Sequence, residues 1–321
     1  MKQVEHLLGY RASIKVMDAT LRDGGLVNDF YFTDDFVKAL YKTNLEAGVD
    51  YMEMGYRASK KVFDETKFGK WKFCSDDHIR EIVGENDTDL KLAIMADIGR
   101  HDKNDFDEKV NSPVDMVRVA AYIHQMPEAI DMIEDAHKKG YETTCNIMAI
   151  SQTQESDLKV ALDMLGKTPV DTIYIVDSFG SIYPEEMKRI VDIYMEAATK
   201  YGKQLGVHAH NNQQLAFANT IEACGDGVNW LDATYKGMGR GAGNCAMELL
   251  LGFLKNPKYY TYPVFRFISD YMVKLEEDGV VWGYDLQYLM TGQLNQHPRA
   301  AIKFTKDKRK DYAEFYKELI V

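Results

Sequence analysis

Short runs dominated by Val, Ile, Leu, Met and Tyr recur along the chain, at 14–18, 49–56, 91–98, 116–122, 142–148, 172–177, 205–210 and 230–235. Several are continuously apolar rather than alternating, which is the pattern of parallel strands covered on both faces. Segments of helical period separate them, and their ends carry helix punctuation. Thr33 precedes Asp34 and Asp35 with a stop at Gly48, Pro127 starts a helix that runs to Gly140, and Pro184 opens one that ends near Gly202. Eight such units, each strand followed by a helix, predict a (β/α)8 TIM barrel rather than an open sheet. The repeat runs down near Asn256-Pro257, so the barrel is expected over 1–255 and a C-terminal helical extension, with Tyr and Phe at irregular spacing, over 256–321.

Length alone, 321 residues, suggests two domains; the strand count replaces that inference with one barrel and an extension. The formal net charge of −11 argues against an overall surface field that attracts nucleic acid or anionic lipid. No stretch approaches the roughly 18 consecutive apolar residues of a membrane span, and residues 1–13 hold no signal-peptide run, so a cytoplasmic protein is expected. Cys74, Cys145, Cys224 and Cys245 are far apart and form no C-x-x-C pair, which suggests neither a disulfide framework nor a thiolate zinc site.

Active sites of such barrels sit at the carboxyl ends of the strands. Four clusters fall there: Thr20-Leu21-Arg22-Asp23-Gly24-Gly25 after strand one; Glu53, Tyr56 and Arg57 at the end of strand two; His208-Ala209-His210-Asn211 at strand seven; and Gly237-Met238-Gly239-Arg240-Gly241-Ala242-Gly243-Asn244 after strand eight. His208 and His210 are two apart on a strand, so both side chains leave the same face. With the Asp23 carboxylate they would hold a divalent metal and leave positions open for a substrate; the alternative is two histidines with ordinary hydrogen bonds.

Three of these motifs, Met17-Asp18-Ala19-Thr20-Leu21-Arg22-Asp23-Gly24, Val207-His208-Ala209-His210-Asn211 and the run 237–244, occur in the order and register of the metal-dependent lyase and synthase barrels, which the chain resembles. That family includes 4-hydroxy-2-oxovalerate aldolase, 3-hydroxy-3-methylglutaryl-CoA lyase and 2-isopropylmalate synthase, and Gly-Met-Gly before Gly-Ala-Gly-Asn, with Gly283-Tyr284 in the extension, is most similar to the first. The resemblance implies that Asp23, His208 and His210 ligate Mn2+ or Mg2+ and that Arg22 stabilises an enolate, a role suited to a permanent charge with a donor fork. The competing role for Arg22 is an ion pair with Glu53, a residue grouped here with the catalytic set. Asn244 matches an asparagine that approaches the metal in part of the family, or supports the ligands, or caps a loop. Arg240, Gly241 and Gly243 are expected to cradle a substrate anion on free backbone N–H groups. Tyr284 matches a tyrosine that relays a proton, against simple packing.

One position departs from the aldolase pattern. There a histidine a few residues after R-D-G acts as general base; here the run is Gly25-Leu26-Val27-Asn28, and His124 and His297 are the possible substitutes. The segment 57–72 carries Arg57, Lys60, Lys61, Lys67, Lys70 and Lys72 against Asp64 and Glu65, with Phe63, Phe68 and Trp71 interleaved. It reads either as a lid drawing in an anionic substrate or as a solvated loop whose aromatics pack on the rim. The expected activity is an aldolase cleaving a small anionic 2-oxo acid. The alternatives are a Claisen-type acyl-CoA synthase or lyase on the same metal and arginine, and a non-catalytic barrel acting as a binding subunit. A homo-oligomer, and an aldehyde dehydrogenase partner docked on the extension, accompany the aldolase reading.

Overall fold

The computed structural model describes residues 11–102 and 105–321. Eight parallel strands close into a barrel in sequence order: β1 (Lys15–Asp18), β2 (Tyr51–Tyr56), β3 (Lys91–Asp97), β4 (Met116–Ala121), β5 (Glu142–Ile147), β6 (Thr172–Asp177), β7 (Gln204–Ala209) and β8 (Trp230–Ala233), which pairs back onto β1. Each apolar run is a strand, displaced by at most two residues at either end. Helices α1 (Thr20–Gly24), α2 (Asp34–Ala47), α3 (Asp76–Val83), α4 (Met126–Lys138), α5 (Glu155–Gly166), α6 (Pro184–Tyr201), α7 (Ala216–Gly225) and α8 (Met247–Leu254) lie between and after the strands. The punctuation works as expected. Thr33 Oγ accepts the Phe36 N–H at 3.2 Å, and Gly48 ends α2 at φ 72°, a conformation that favours glycine.

The third crossover departs from the repeat: between β3 and β4 the described residues form only a 3-10 turn, Lys109–Asn111. Residues 99–115 explain this, because Gly99 and Pro113 flank a run dominated by Asp, Asn, Glu and Lys that has no apolar stripe to lay against the sheet. Among the described residues no helix is long and apolar enough to cross a membrane. All four cysteines are buried free thiols.

Two apolar cores result. One lies between strands and helices; the other runs up the barrel interior through Met17, Tyr51, Ala93, Met116, Tyr174 and Trp230 to Val176, which also lines the mouth. Gly206 belongs to the second, since a Cβ there would meet the Tyr174 ring at 2.5 Å. At the level of that ring the interior turns polar, with Glu53, Arg118 and Asp232 contributed, like Tyr174, by alternate strands.

The extension comprises α9 (Thr261–Phe267), a π turn (Ile268–Met272), α10 (Val273–Glu277), α11 (Leu286–Gln293), α12 (Arg299–Lys306) and α13 (Tyr312–Ile320). Its first part packs on the barrel through Phe267 against Phe36 and Tyr235, with ring centroids 5.2 and 5.1 Å apart. Its last helices share a small core of Ala301, Phe304 and Phe315. Between them Asn295 Oδ1 accepts from Ser151 at 2.7 Å and Ser181 at 2.9 Å, which ties the chain after α11 to the mouth loops of β5 and β6.

Asp18, the last residue of β1, organises the turn into α1. Its carboxylate accepts the Thr20 N–H at 2.9 Å, the Thr20 hydroxyl and Asn44 Nδ2 at 2.7 Å, and burial pushes its pKa up to about 6. A carboxyl whose folded pKa exceeds its unfolded value favours folding in its protonated form. Relative to Asp18→Asn, the native protein is therefore expected to lose stability as pH rises from about 4 to about 6 and to level off above, by at most about 3 kcal/mol. Denaturant midpoints of both proteins across pH 4–8 measure this, and parallel curves would contradict it.

Candidate active site

The short helix α1 follows β1 directly and points Arg22 and Asp23 into the barrel mouth, where both are buried. His208 and His210 leave the inner face of β7 and its extension, two residues apart. The three side chains meet: Asp23 Oδ2 lies 3.4 Å from His208 Nε2 and 3.6 Å from His210 Nε2. Each ring is oriented from behind, His208 Nδ1 by the Asp232 carboxylate at 3.0 Å and His210 Nδ1 by the Asp177 carbonyl at 3.0 Å. Donation from both Nδ1 atoms turns both Nε2 lone pairs toward the Asp23 carboxylate.

Such a convergence is repulsive unless a cation fills it. Burial pushes the His210 pKa down to about 4, so this ring is neutral at ordinary pH. Burial also opposes charge on His208, but the Asp23 and Asp232 carboxylates outweigh it and raise its pKa. Asp23 is held well below the usual carboxylate range, since Arg22 and His210 overcome its burial. His208 Nε2 and Asn244 Oδ1 are both buried without a hydrogen-bond partner. Two imidazoles, one carboxylate and a neighbouring orphaned amide oxygen suit a divalent ion with positions to spare.

The loop after β8 is shaped around Asp23. Arg240 donates its backbone N–H to Asp23 Oδ1 at 3.1 Å, and a Cβ on Gly239 would stand 2.7 Å from that oxygen and 2.0 Å from Asn244 Nδ2. Gly243 has φ 84° and is pressed against the Gly237 carbonyl, while its N–H donates to the Arg240 carbonyl at 3.2 Å. Gly241 at φ 65° likewise shapes the turn. Gly243 therefore serves the loop rather than offering a free N–H; the side chain of Arg240 is what reaches the cleft. Asn244 donates Nδ2 to the Met238 carbonyl at 3.2 Å and stays beside the ligand atoms.

Arg22 does two things at once. Its Nε donates to Glu53 Oε2 at 2.8 Å, its Nη1 pairs with Asp23, and the guanidinium lines the cleft with Nη2 left for a ligand. Glu53 is fully buried beneath it, between Arg22 and Arg118 Nη1 at 2.9 Å, and is absent from the cleft lining. Glu53, grouped with the catalytic set from sequence, thus forms the ion pair with Arg22 that was the competing role, and it positions that guanidinium. Tyr284 is 50% exposed and also lies outside that lining, although its neighbour Gly283 donates to the Gly241 carbonyl at 3.2 Å.

The cleft above these groups has an empty volume of about 440 Å³, open to solvent, and is also lined by Leu26, Tyr56, Met95, Asp97, Asn146, Met148 and Ser178. Leu26, not a histidine, occupies the run after R-D-G-G. Of the substitutes, neither lines the cleft itself: His124 is exposed against Tyr122, whereas His297 stands behind the lining residue Arg240, 3.5 Å from its Nη1. Asp97, which the sequence reading passed over, ends β3 with Oδ1 buried and unpartnered, and burial raises its pKa. Arg118 and Asp232 were passed over too; a lone charged residue inside each of two otherwise apolar strands was the signal for them.

The cations of 57–72 are largely neutralised nearby. Arg57 pairs with Asp76, Lys60 with Glu65 at 2.7 Å, Lys61 with Asp102 at 2.7 Å, Lys67 with Asp64 at 3.6 Å and Lys70 with Asp34 at 2.8 Å. Trp71 is buried, and Lys72 is enclosed by Phe30, Tyr56, Phe63 and Phe68, with Nζ 4.3–5.8 Å from the ring centres. The segment is packed on the rim, as in the second of its two readings.

Comparison with known proteins places this geometry. The HMGL-like family model matches residues 13–262. The 4-hydroxy-2-oxovalerate aldolase of Thermus thermophilus is 30% identical over 241 residues, covering 74% of this chain and 68% of that protein. The oxaloacetate decarboxylase of Mycobacterium tuberculosis is 28% identical over 75% of this chain and 69% of its own length. Among solved structures, the N-terminal domain of a candidate aldolase from Bacteroides vulgatus superposes with TM-score 0.75 at 28% identity, covering 91% of this chain and 97% of that one. The carboxyl transferase domain of Rhizobium etli pyruvate carboxylase shares the fold, at TM-score 0.69 and 15% identity over 94% of this chain and 55% of that one. These similarities support an enzyme of the lyase and aldolase kind. With strand order, ligand geometry and a match over most of its length in agreement, the chain belongs to the HMGL-like family.

Proposed function

We propose that the protein is a divalent-metal-dependent aldolase that cleaves a 4-hydroxy-2-oxo acid, the class that includes 4-hydroxy-2-oxovalerate, to pyruvate and an aldehyde, with Mn2+ or Mg2+ as the ion. The observation that carries this reading is the convergence of His208 Nε2, His210 Nε2 and Asp23 beside the guanidinium of Arg22. When bound, a divalent ion supplies Lewis acidity toward the carboxylate and ketone of the 2-oxo acid.

The chain's own groups do the rest. As the C3–C4 bond breaks, its electron pair passes to the pyruvate fragment as an enolate, and Arg22 Nη2 is placed to donate to the oxygen that gains charge. Glu53 holds Arg22 in that orientation. The C4 hydroxyl must lose its proton as the aldehyde forms. Asp97 is the cleft group equipped to take it, with Oδ1 buried and unpartnered and a pKa that burial raises, and its protonated carboxyl then holds the proton that C3 of the enolate must gain to become pyruvate. Leu26, Met95 and Met148 give the cleft an apolar flank.

The test is pyruvate release from a panel of 4-hydroxy-2-oxo acids with metal saturating. Asp97→Asn is expected to lower kcat by about 10²–10⁴-fold while metal stays bound. Release of free CoA from an acyl-CoA would favour the synthase instead, and absence of every product the non-catalytic barrel.

A further inference from the structure

The extension delivers a histidine to the barrel mouth next to an arginine that has no carboxylate partner among the described residues. Arg240 Nη2 donates to the Ser178 carbonyl at 2.9 Å, its Nε is buried without a hydrogen-bond partner, and its Nη1 lies 3.5 Å from His297 Nε2. His297 Nδ1 accepts the Arg299 N–H at 3.2 Å, which puts the proton of the neutral ring on Nε2. Burial and the adjacent guanidinium push this ring down to about 4, so the neutral form is the relevant one.

The 3.5 Å contact therefore brings two donors together with no acceptor between them. More donors stand on the same wall. Ser178 Oγ accepts the Ala149 N–H at 2.8 Å and keeps its own proton to give, while Asn146 Oδ1 accepts from Thr144 at 2.8 Å and leaves Nδ2 for the cleft. Nor is the wall remote from the ligand cluster: Ser178 follows Asp177, whose carbonyl anchors His210. An uncharged substrate tail would satisfy one or two of these donors and leave the guanidinium unmatched. A carboxylate brings four lone-pair positions and the opposite charge.

We propose that Arg240 and His297 form a second anion subsite that receives a carboxylate on the distal end of the substrate, so that the protein acts on 2-oxo dicarboxylates in preference to 2-oxo acids with uncharged tails. This rests on the aldolase reading for the placement of the first carboxylate near Asp23, His208 and His210. The extension thereby becomes part of substrate selection.

The experiment is calorimetric binding to the full chain loaded with Mn2+, using 2-oxoglutarate and 2-oxovalerate. These acids have equal chain length, differ in the distal carboxylate and lack the 4-hydroxyl needed for cleavage; pyruvate is titrated in parallel. The dicarboxylate is expected to bind at least about tenfold tighter. Arg240→Met and His297→Phe should each bring the ratio of the two affinities toward one, and His297→Gln, which keeps an N–H, should retain part of it. Equal binding of the two acids while pyruvate still binds overturns the subsite and leaves the aldolase reading standing, as does a preference that survives Arg240→Met. Failure of all three acids to bind overturns both.

Discussion

Replacing Asp23 by Asn is expected to leave the protein without its divalent ion, and His210→Ala is expected to do the same. In the native protein one ion per chain should be retained through desalting. The reason lies in the pairing of charges. Asp23 supplies the only carboxylate oxygen that faces both Nε2 lone pairs among the described residues, at 3.4 and 3.6 Å, and an amide in its place removes the negative charge while Arg22 continues to repel a cation. His210→Ala takes away a ring that burial keeps neutral and ready to ligate. Asp232→Asn provides the graded control: it keeps the ligand set but weakens the grip on His208, so affinity should fall about 10–100-fold rather than vanish. Because the carboxylates beside His208 raise its pKa, binding displaces a proton and affinity should decline as pH falls. Elemental analysis and Mn2+ titration decide the matter, and full occupancy in both Asp23→Asn and His210→Ala would remove the metal site altogether.

The second large effect is structural. Arg118→Met is expected to destabilise the protein by about 3–5 kcal/mol, because it removes a buried cation and leaves Glu53 with only Arg22 and Asp232 with only His208 to offset two buried charges. Arg118 is 0% exposed and joins Glu53 at 2.9 Å to Asp232 at 2.6 Å across the barrel interior, with Tyr174 stacked beneath at 4.5 Å. A Met side chain fills much of the space but neutralises nothing. The damage should also reach the site, since Glu53 orients Arg22 and Asp232 orients His208. A double variant, Arg118→Met with Asp232→Asn, should recover part of the loss, which a cavity explanation does not predict. Denaturant unfolding measures both, and a loss under about 1 kcal/mol for the single variant would show that the polar layer is not held by this cation.

The two effects separate what different parts of the chain do. In the proposed function Asp23 and His210 bear on the chemistry, whereas Arg118 bears on the frame that aims them. Glu53 belongs to the frame: it is the third residue of β2, below the strand end where a catalytic carboxylate was expected. The difference is one layer of barrel depth, which strand period alone does not specify.

The amino-acid sequence by itself determined the eight strands, their parallel arrangement and the common face of His208 and His210, and its resemblance to the lyase barrels singled out Asp23 beside them. Strands buried on both faces must be continuously apolar, so they stand out against amphipathic helices. The two-residue spacing of His208 and His210 forces both rings to one side whatever surrounds them. The tertiary structure alone decided the partners. Arg118 reaches Asp232 across 114 residues, and Asp97 comes to the cleft from β3, because closure of the barrel sets which inward-facing side chains share a level. It also showed that the third crossover forms no α-helix among the described residues, that the cations of 57–72 other than Lys72 are matched by acids in and around that loop, and that His297 returns to the side of Arg240. The physical reason is common to all of these: local pattern reports burial and direction, while the energy of a buried charge depends on contacts made only when distant segments close on one another.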